Sequence, residues 1–166
     1  MMLPNTLPNI AGVVLPWGPR LVVTGKAGGV LSPGDLVEST DGKSFTAAST
    51  EVLGVASTDV TMKGICVFDP NKGTAAYASG DMISVCLFGV CSAKAVASSS
   101  IAIGRSVKAS VAAGTPGQAI LGTAASVAAD VHDNLLLMYN SLVGTALTAP
   151  AAGAGSLFWL FVGLKV

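Results

Sequence analysis

The chain has 166 residues, of which 51% are hydrophobic and only 11% are charged, and nine basic residues balance nine acidic ones. This length suits one domain with a buried core, and the high hydrophobicity excludes a disordered chain. The chain has only two arginines, Arg20 and Arg105, which argues against nucleic acid as a partner because binding to phosphates needs clustered cations. So few surface charges do little to repel other proteins, so we expect the chain to work bound to a partner.

Residues 1–20 predict an extended N-terminal arm. Prolines at positions 4, 8, 16 and 19 exclude both a helix and a central strand. Apolar side chains lie between the prolines, and a solvated tail would not need them, so we expect the arm to lie along another protein surface. An unstructured terminus is the alternative. The predicted partner-binding residues of the arm are Leu3, Leu7, Ile10, Val13, Leu15 and Trp17.

Residues 21–140 predict a β domain built from short strands separated by Gly, Pro and Asp. The first candidate strand is Leu21–Thr24, and Pro33–Gly34 and Asp41–Gly42 are typical of tight turns. No long segment has apolar residues at helical spacing, so the pattern predicts an all-β fold, a small β-barrel or β-sandwich. Further candidate strands cover residues 45–48, 52–56, 64–68, 82–90 and 134–139.

A short sequence pattern recurs within this domain. Gly34–Val37 lines up with Gly104–Val107, and Val52–Ala56 lines up with Ile120–Ala124. Residues 79–85 repeat the opening of the pattern a third time. In each copy a turn that contains glycine starts a strand, so we expect a β-hairpin unit that is used more than once.

Residues 141–166 predict an Ala/Gly-rich linker followed by an apolar C-terminal strand. A membrane-spanning helix needs about 20 apolar residues, and the dense apolar run here is much shorter and follows several glycines and a proline. We therefore predict no membrane span, and a strand that is buried or bound to a partner. Its expected contact residues are Phe158, Trp159 and Phe161.

The reactive residue types argue against an enzyme. Any Ser-His-Asp or Cys-His arrangement would have to use the single histidine, His132, and a neighbour in sequence such as Asp133 is not thereby placed to orient it. Cys66, Cys86 and Cys91 have no metal-binding spacing, so we expect buried thiols in a chain made in the cytosol. We predict no catalytic residues, no cofactor and no metal.

The order of these segments resembles that of the small capsid decoration proteins of tailed bacteriophages, also called cement or head-stabilising proteins. The resemblance covers about residues 20–140 and implies a compact, β-tulip-like domain on the outer surface of the capsid, with an arm that reaches over neighbouring subunits. The matching segments are Ser32–Val37, Val52–Ala56, Ala78–Val90, Ile101–Val107, Ile120–Ala124 and Asp133–Met138.

The resemblance implies a non-enzymatic virion protein, made in the host cytoplasm, that stabilises the shell by bridging neighbouring major capsid subunits. The implied partners are the major capsid protein and further copies of the chain in a homotrimer, with no nucleic acid. Two alternatives stay open. A self-assembling major structural subunit of a capsid or surface layer would assemble alone, and a hydrolase or glycan-binding module would depend on His132 or Trp159.

Overall fold

A computed structural model describes residues 7–16, 18–48, 62–97, 99–110, 115–122, 142–153 and 155–163. Over these residues the protein is all-β and has no helix, which confirms the predicted fold class. The nine strands in the described part of the chain are β1 (Leu21–Ala27), β2 (Leu36–Ser39), β3 (Ser44–Ala47), β4 (Met62–Cys66), β5 (Met82–Ala95), β6 (Ser106–Ala109), β7 (Ala119–Leu121), β8 (Leu142–Ala146) and β9 (Ser156–Val162).

Strands β1 to β5 close into a small five-stranded barrel, which we call the first ring. The hydrogen-bonded order is β1-β3-β2-β4-β5, and β5 returns to β1 over residues 82–88. The β1–β3 contact is parallel and the other four are antiparallel. Alternate side chains fill the interior, as expected for strands with one buried face. The fully buried interior residues include Val37, Phe45, Cys66 and Val85.

Strand β5 continues into a second ring with the same plan. Its residues 89–95 pair with β9, and the order β5-β7-β6-β8-β9 repeats the order of the first ring strand by strand. The contact between β5 and β7 is parallel, at Ala95 and Ala119, and the other contacts are antiparallel. The long β5 thus supplies the last strand of one ring and the first strand of the next.

Hydrogen bonds outside the ladders repeat between the rings as well. The Cys66 N–H donates to the Asp35 carbonyl at 2.9 Å, and the Ala146 N–H donates to the Arg105 carbonyl at 2.9 Å. Each bond ties the last residue of a strand, β4 or β8, to the turn before β2 or β6. The backbone is therefore duplicated in register, as well as in strand order.

The duplication gives the sequence repeat a structural basis. Gly34–Val37 and Gly104–Val107 lead into β2 and β6, which hold the same place in their rings. The structural counterpart of Ile120 is Thr46. Thr46 pairs with Glu38 in β2, and Ile120 pairs with Lys108 at the same position of β6. Val52–Ala56, the segment that the sequence pattern aligns with Ile120–Ala124, lies outside the described residues.

The second ring needs the C-terminal residues to close. Strands β8 and β9 lie within residues 142–162, and β9 pairs with both β5 and β8. Both strands lie in the segment for which the sequence predicts a linker followed by an apolar C-terminal strand.

The first ring packs against the second through one outward face. Leu36 and Ile65 are fully buried and belong to the apolar cluster of the second ring. Their counterparts in the second ring are Ser106 and Thr145, which are polar and half-buried. Because these positions are polar there, the second ring does not offer the same apolar face to another ring.

Volume is distributed differently inside the two rings. A Cβ atom on Gly25 would lie 2.6 Å from Cε2 of the buried Phe45 ring, so β1 needs glycine there. The counterparts of Gly25 and Phe45 in the second ring are Ala93 and Ala119, and both are buried. At this position a larger side chain on β5 of the second ring accompanies a smaller one on β7, whereas Gly25 on β1 accompanies Phe45 on β3.

The close contact between Gly25 and Phe45 predicts that Gly25→Ala destabilises the fold. We expect a loss of about 1–3 kcal/mol in the free energy of unfolding, because the added methyl group meets a packed ring. Urea unfolding followed by circular dichroism measures the loss. Adding Phe45→Leu should restore part of it, so strictly additive losses for the two substitutions would contradict the explanation.

Candidate partner-binding surface

Part of the N-terminal arm is docked on the folded body through an isolated β-bridge between Val14 and Cys91. Residues 12–15 run antiparallel to β5 on the edge that β9 does not cover. The Leu15 N–H donates to the Val90 carbonyl at 2.9 Å, and the Ser92 N–H donates to the Val13 carbonyl at 2.9 Å. Without this segment the β5 edge would leave buried backbone groups without partners.

The Ser92 side chain fixes the start of this docked segment. Its hydroxyl is fully buried, accepts the Val13 N–H at 2.8 Å and donates to the Ile10 carbonyl at 2.7 Å. Gly12 joins the segment to the end of β4, since its carbonyl accepts the Phe68 N–H at 2.8 Å. The arm is therefore held by its own chain from Ile10 onward.

The predicted arm contacts fall into three groups. Leu7 and Ile10 expose 46% and 38% of their surface, so among the predicted contact residues that the structure describes they are the most open to a partner. Their role in binding stays a prediction. Val13 and Leu15 are half-buried, and Leu3 and Trp17 lie outside the described residues.

The predicted C-terminal contacts belong to the chain's own second ring. Phe158 is fully buried and Trp159 is 6% exposed, because β9 is covered on both edges by β5 and β8. Phe161 is half-buried and meets Phe88 edge to face, with ring centroids 5.3 Å apart. In this structure Phe158 and Trp159 stabilise the fold, and they offer little surface to a partner.

Several exposed apolar residues lie outside the arm, and the sequence pattern did not predict them. Two of them, Val30 and Ile103, lie in the loops before β2 and β6, at 76% and 68% exposure. An isolated large apolar residue within a Gly- or Ser-rich loop is the signal that could have found them. The others are Leu21, Val22, Met62 and Met82.

The cysteines are buried free thiols, which confirms the prediction for them. Burial, and to a lesser extent the Asp35 carboxylate, raises the pKa of the Cys66 thiol to about 12. A hydrogen bond with Cys86, together with burial, raises the pKa of the Cys91 thiol. Because the thiolate is the nucleophile, neither Cys66 nor Cys91 is suited to attack a substrate at neutral pH.

Neither a metal-binding cluster nor a membrane-spanning helix occurs in the described residues. Within them, no group of three or more His, Cys, Asp or Glu side chains is placed to hold a metal ion. No helix in the same part of the chain is long and apolar enough to cross a membrane. His132 and Asp133 lie outside the described residues.

Comparison of the structure with solved structures finds a likeness to a chain of the capsid of Myoviridae phage XM1. The TM-score is 0.60 at 16% sequence identity, over 96% of this chain and 93% of that one. The two chains share a fold. The N base of head fiber gp8.5 of bacteriophage phi29 has a TM-score of 0.39 at 15% identity, over 87% of this chain and 95% of that one. No protein-family model and no curated protein matches the sequence.

Proposed function

We propose that this protein decorates the outer surface of a bacteriophage capsid and stabilises the shell by bridging neighbouring major capsid subunits. The observation that carries the proposal is an arm whose exposed apolar residues, Leu7 and Ile10, come just before a segment that is fixed to a compact body. The shared fold with a chain of the phage XM1 capsid supports a structural role in a virion.

An anchored arm suits a bridging role. Because hydrogen bonds to Ser92 and Val90 hold residues 12–15, the preceding residues leave the body from a fixed point. Residues 1–9 span about 30 Å when extended. This reach allows the arm to touch a subunit next to the one on which the body rests, and many such contacts add up across a shell.

The chemistry of the described residues supports a role without catalysis. Burial raises the thiol pKa of Cys66, and a hydrogen bond with Cys86, together with burial, raises the thiol pKa of Cys91. A hydrogen bond with Cys91 lowers the pKa of Cys86, but Cys86 is fully buried. The proposal places the protein on the virion surface as a homotrimer, after synthesis in the host cytoplasm.

The test is binding to capsids that lack this protein. In Leu7→Ser/Ile10→Ser, we expect cosedimentation with capsids to weaken about tenfold or more, since each substitution removes an apolar contact of about 1–2 kcal/mol. The matched control is Val30→Ser/Ile103→Ser, which removes two exposed apolar side chains from the body. Both variants should unfold at the same urea concentration as the unaltered chain.

Equal capsid binding by the arm variant and the unaltered chain would contradict the proposal. Purified protein that forms closed shells alone would instead favour a self-assembling major subunit. A deletion of residues 2–19 is a poorer test, because it also removes residues 12–15 and exposes the edge of β5.

A further inference from the structure

The edge of β5 shows how this fold binds an extended segment. In an antiparallel pair, only every second residue of a strand hydrogen-bonds to a given neighbour. The other residues of β5 therefore point their N–H and C=O groups away from β9. Val90 and Ser92 point these groups at the docked arm, and the Lys94 N–H donates to the Gly34 carbonyl at 3.1 Å. The β5 edge is thus filled along residues 90–94.

The duplication places a matching edge on β1. The counterparts of Val90, Ser92 and Lys94 are Val22, Thr24 and Lys26, because each set holds the same register against its partner strand. The Lys26 N–H donates to the Lys43 carbonyl at 2.8 Å, on the side away from β5. By the same alternation, the N–H and C=O groups of Val22 and Thr24 point to that side.

Nothing described in this structure covers that part of β1. Strand β3 reaches β1 only at Lys26 and Ala27, beyond the start of the strand. Among the described residues, no backbone hydrogen bond joins Thr24 to a segment other than β5. Leu21 and Val22 are 52% and 41% exposed, so the open edge has apolar side chains beside it. Proteins seldom leave such an edge unprotected.

We propose that the open edge of β1, Leu21–Thr24, binds the N-terminal segment of a second copy of this chain as an added strand. The bound segment would be residues 3–9, which precede the docked part of the second copy's own arm. This contact joins copies to each other, and it goes beyond the proposed attachment to a capsid.

The sequence of residues 3–9 suits one edge of a strand. Pro4 and Pro8 are both at even positions, so their missing N–H groups lie on the same side of an extended chain. The odd-numbered residues keep their N–H and C=O groups for the opposite side, which can pair with β1. Leu3 and Leu7 then share one face and can cover exposed apolar side chains. The segment has no charge that would oppose association.

The arm of the same chain already demonstrates the pairing. Residues 12–15 bind the counterpart edge through backbone hydrogen bonds, a hydrogen bond to the Ser92 hydroxyl and packing of Val14 against the core. An edge of equal register on β1 can accept a second extended segment in the same way. Because residues 10–15 are occupied within their own chain, the segment before them is the part left to bind.

The test measures molar mass in solution, by sedimentation, without capsids. We expect the full chain to form an oligomer, and we expect both Thr24→Pro and a deletion of residues 2–8 to reduce it to a monomer. Thr24→Pro removes an edge N–H but keeps the arm, whereas the deletion keeps the edge but removes the arm. A mixture of the two variants should form a one-to-one heterodimer, since one supplies the edge and the other the arm.

Thr40→Pro is the matched control, in an exposed turn away from the edge, and should keep the full mass. If Thr24→Pro fails to fold by circular dichroism, Val22→Lys/Thr24→Lys replaces it, because lysines on an edge oppose strand addition. A monomeric full chain, variants that keep the full mass, or a mixture without heterodimer would each overturn the proposal. The Thr24→Pro chain keeps Leu7 and Ile10, so its cosedimentation with capsids tests the proposed attachment separately from this proposal. A monomeric full chain would also contradict the homotrimer in the proposed function, but not the attachment to a capsid.

Discussion

Gly144→Ala is expected to destabilise the fold severely, and Gly144→Val is expected to abolish it. A Cβ atom on Gly144 would overlap the carbonyl oxygen of Phe161 on the neighbouring strand β9. Strand β8 is held on both edges, by β6 and β9, so the backbone cannot move aside without losing a ladder. We expect Gly144→Ala to cost more than about 4 kcal/mol, against a total stability of about 5–15 kcal/mol for a typical domain.

The counterpart of Gly144 in the first ring makes this prediction a test of the duplication. A Cβ atom on Gly64 would lie 2.6 Å from the Cys86 carbonyl oxygen, so Gly64→Ala should also be costly. Gly29→Ala is the control, because a Cβ atom there meets nothing within 4 Å and the backbone is not left-handed. It should be neutral or stabilising by up to about 1 kcal/mol.

Urea unfolding of the four variants, followed by circular dichroism, gives the comparison. A Gly144→Ala chain as stable as the Gly29→Ala chain would show that β8 and β9 are not packed as closely as described here. Losses at Gly144 without any at Gly64 would show that the two rings differ at this position, although their strand order is the same.

The sequence predicted the fold class because its turn residues and the lack of helical spacing are local signals. Candidate strand 82–90 falls within β5, but β5 runs on to Ala95. The additional residues are small and Ala-rich, with weak strand propensity, so pairing with β9 must determine their structure. Long-range pairing of this kind leaves no mark on a single sequence.

The duplication was only partly visible for a related reason. Residues 23–27 and 91–95 occupy the same place in their rings, but they share only a Lys-Ala ending, at Lys26–Ala27 and Lys94–Ala95. The two rings keep the same backbone register but distribute side-chain volume differently between paired strands. The first ring has Gly25 beside Phe45 where the second has Ala93 and Ala119. The periodic pattern of hydrophobicity records which residues are buried, but it does not record which partner fills the space.

For the candidate surface, the sequence predicted an extended apolar arm from its prolines. Residues 13–15 are extended along β5, whereas residues 9–12 form a bend and a turn. It could not predict that Ser92 would hold Ile10 and Val13 on the same chain, because that contact depends on an edge formed by the second ring. Phe158 and Trp159 form an aromatic run that predicts either a core strand or an interface, and here the closing of the ring buries both.

Lys94→Met is expected to destabilise the fold more at pH 7 than at pH 4. Lys94 Nζ lies 3.1 Å from Asp35 Oδ1, and the pair joins β5 to the turn before β2. Burial raises the pKa of Asp35 above its ordinary value of 3.8, although Lys94 and the Ser32 N–H act in the opposite direction. The folded state therefore binds this proton more tightly than the unfolded state.

The sign of the pH dependence follows from that shift. With a raised folded pKa, the contribution of Asp35 to stability is largest below its unfolded pKa and is lost as the pH rises through the folded value. Removing the Lys94 charge raises the folded pKa of Asp35 further, so the loss at neutral pH grows. At pH 7 we expect Lys94→Met to lower the free energy of unfolding by about 2–4 kcal/mol. This is less than for a fully buried ion pair, because Lys94 keeps some contact with water.

Urea unfolding at the two pH values measures the difference, and two controls separate its causes. Asp35→Asn/Lys94→Met removes both charges and should recover much of the loss at pH 7. Lys72→Met breaks an ion pair with Asp81 in which both side chains are more than one-third exposed, so it should cost little stability at either pH. If Lys94→Met lost the same stability at both pH values, the loss would come from packing of the lysine side chain. Lys94 would then not stabilise the fold by compensating the buried charge of Asp35.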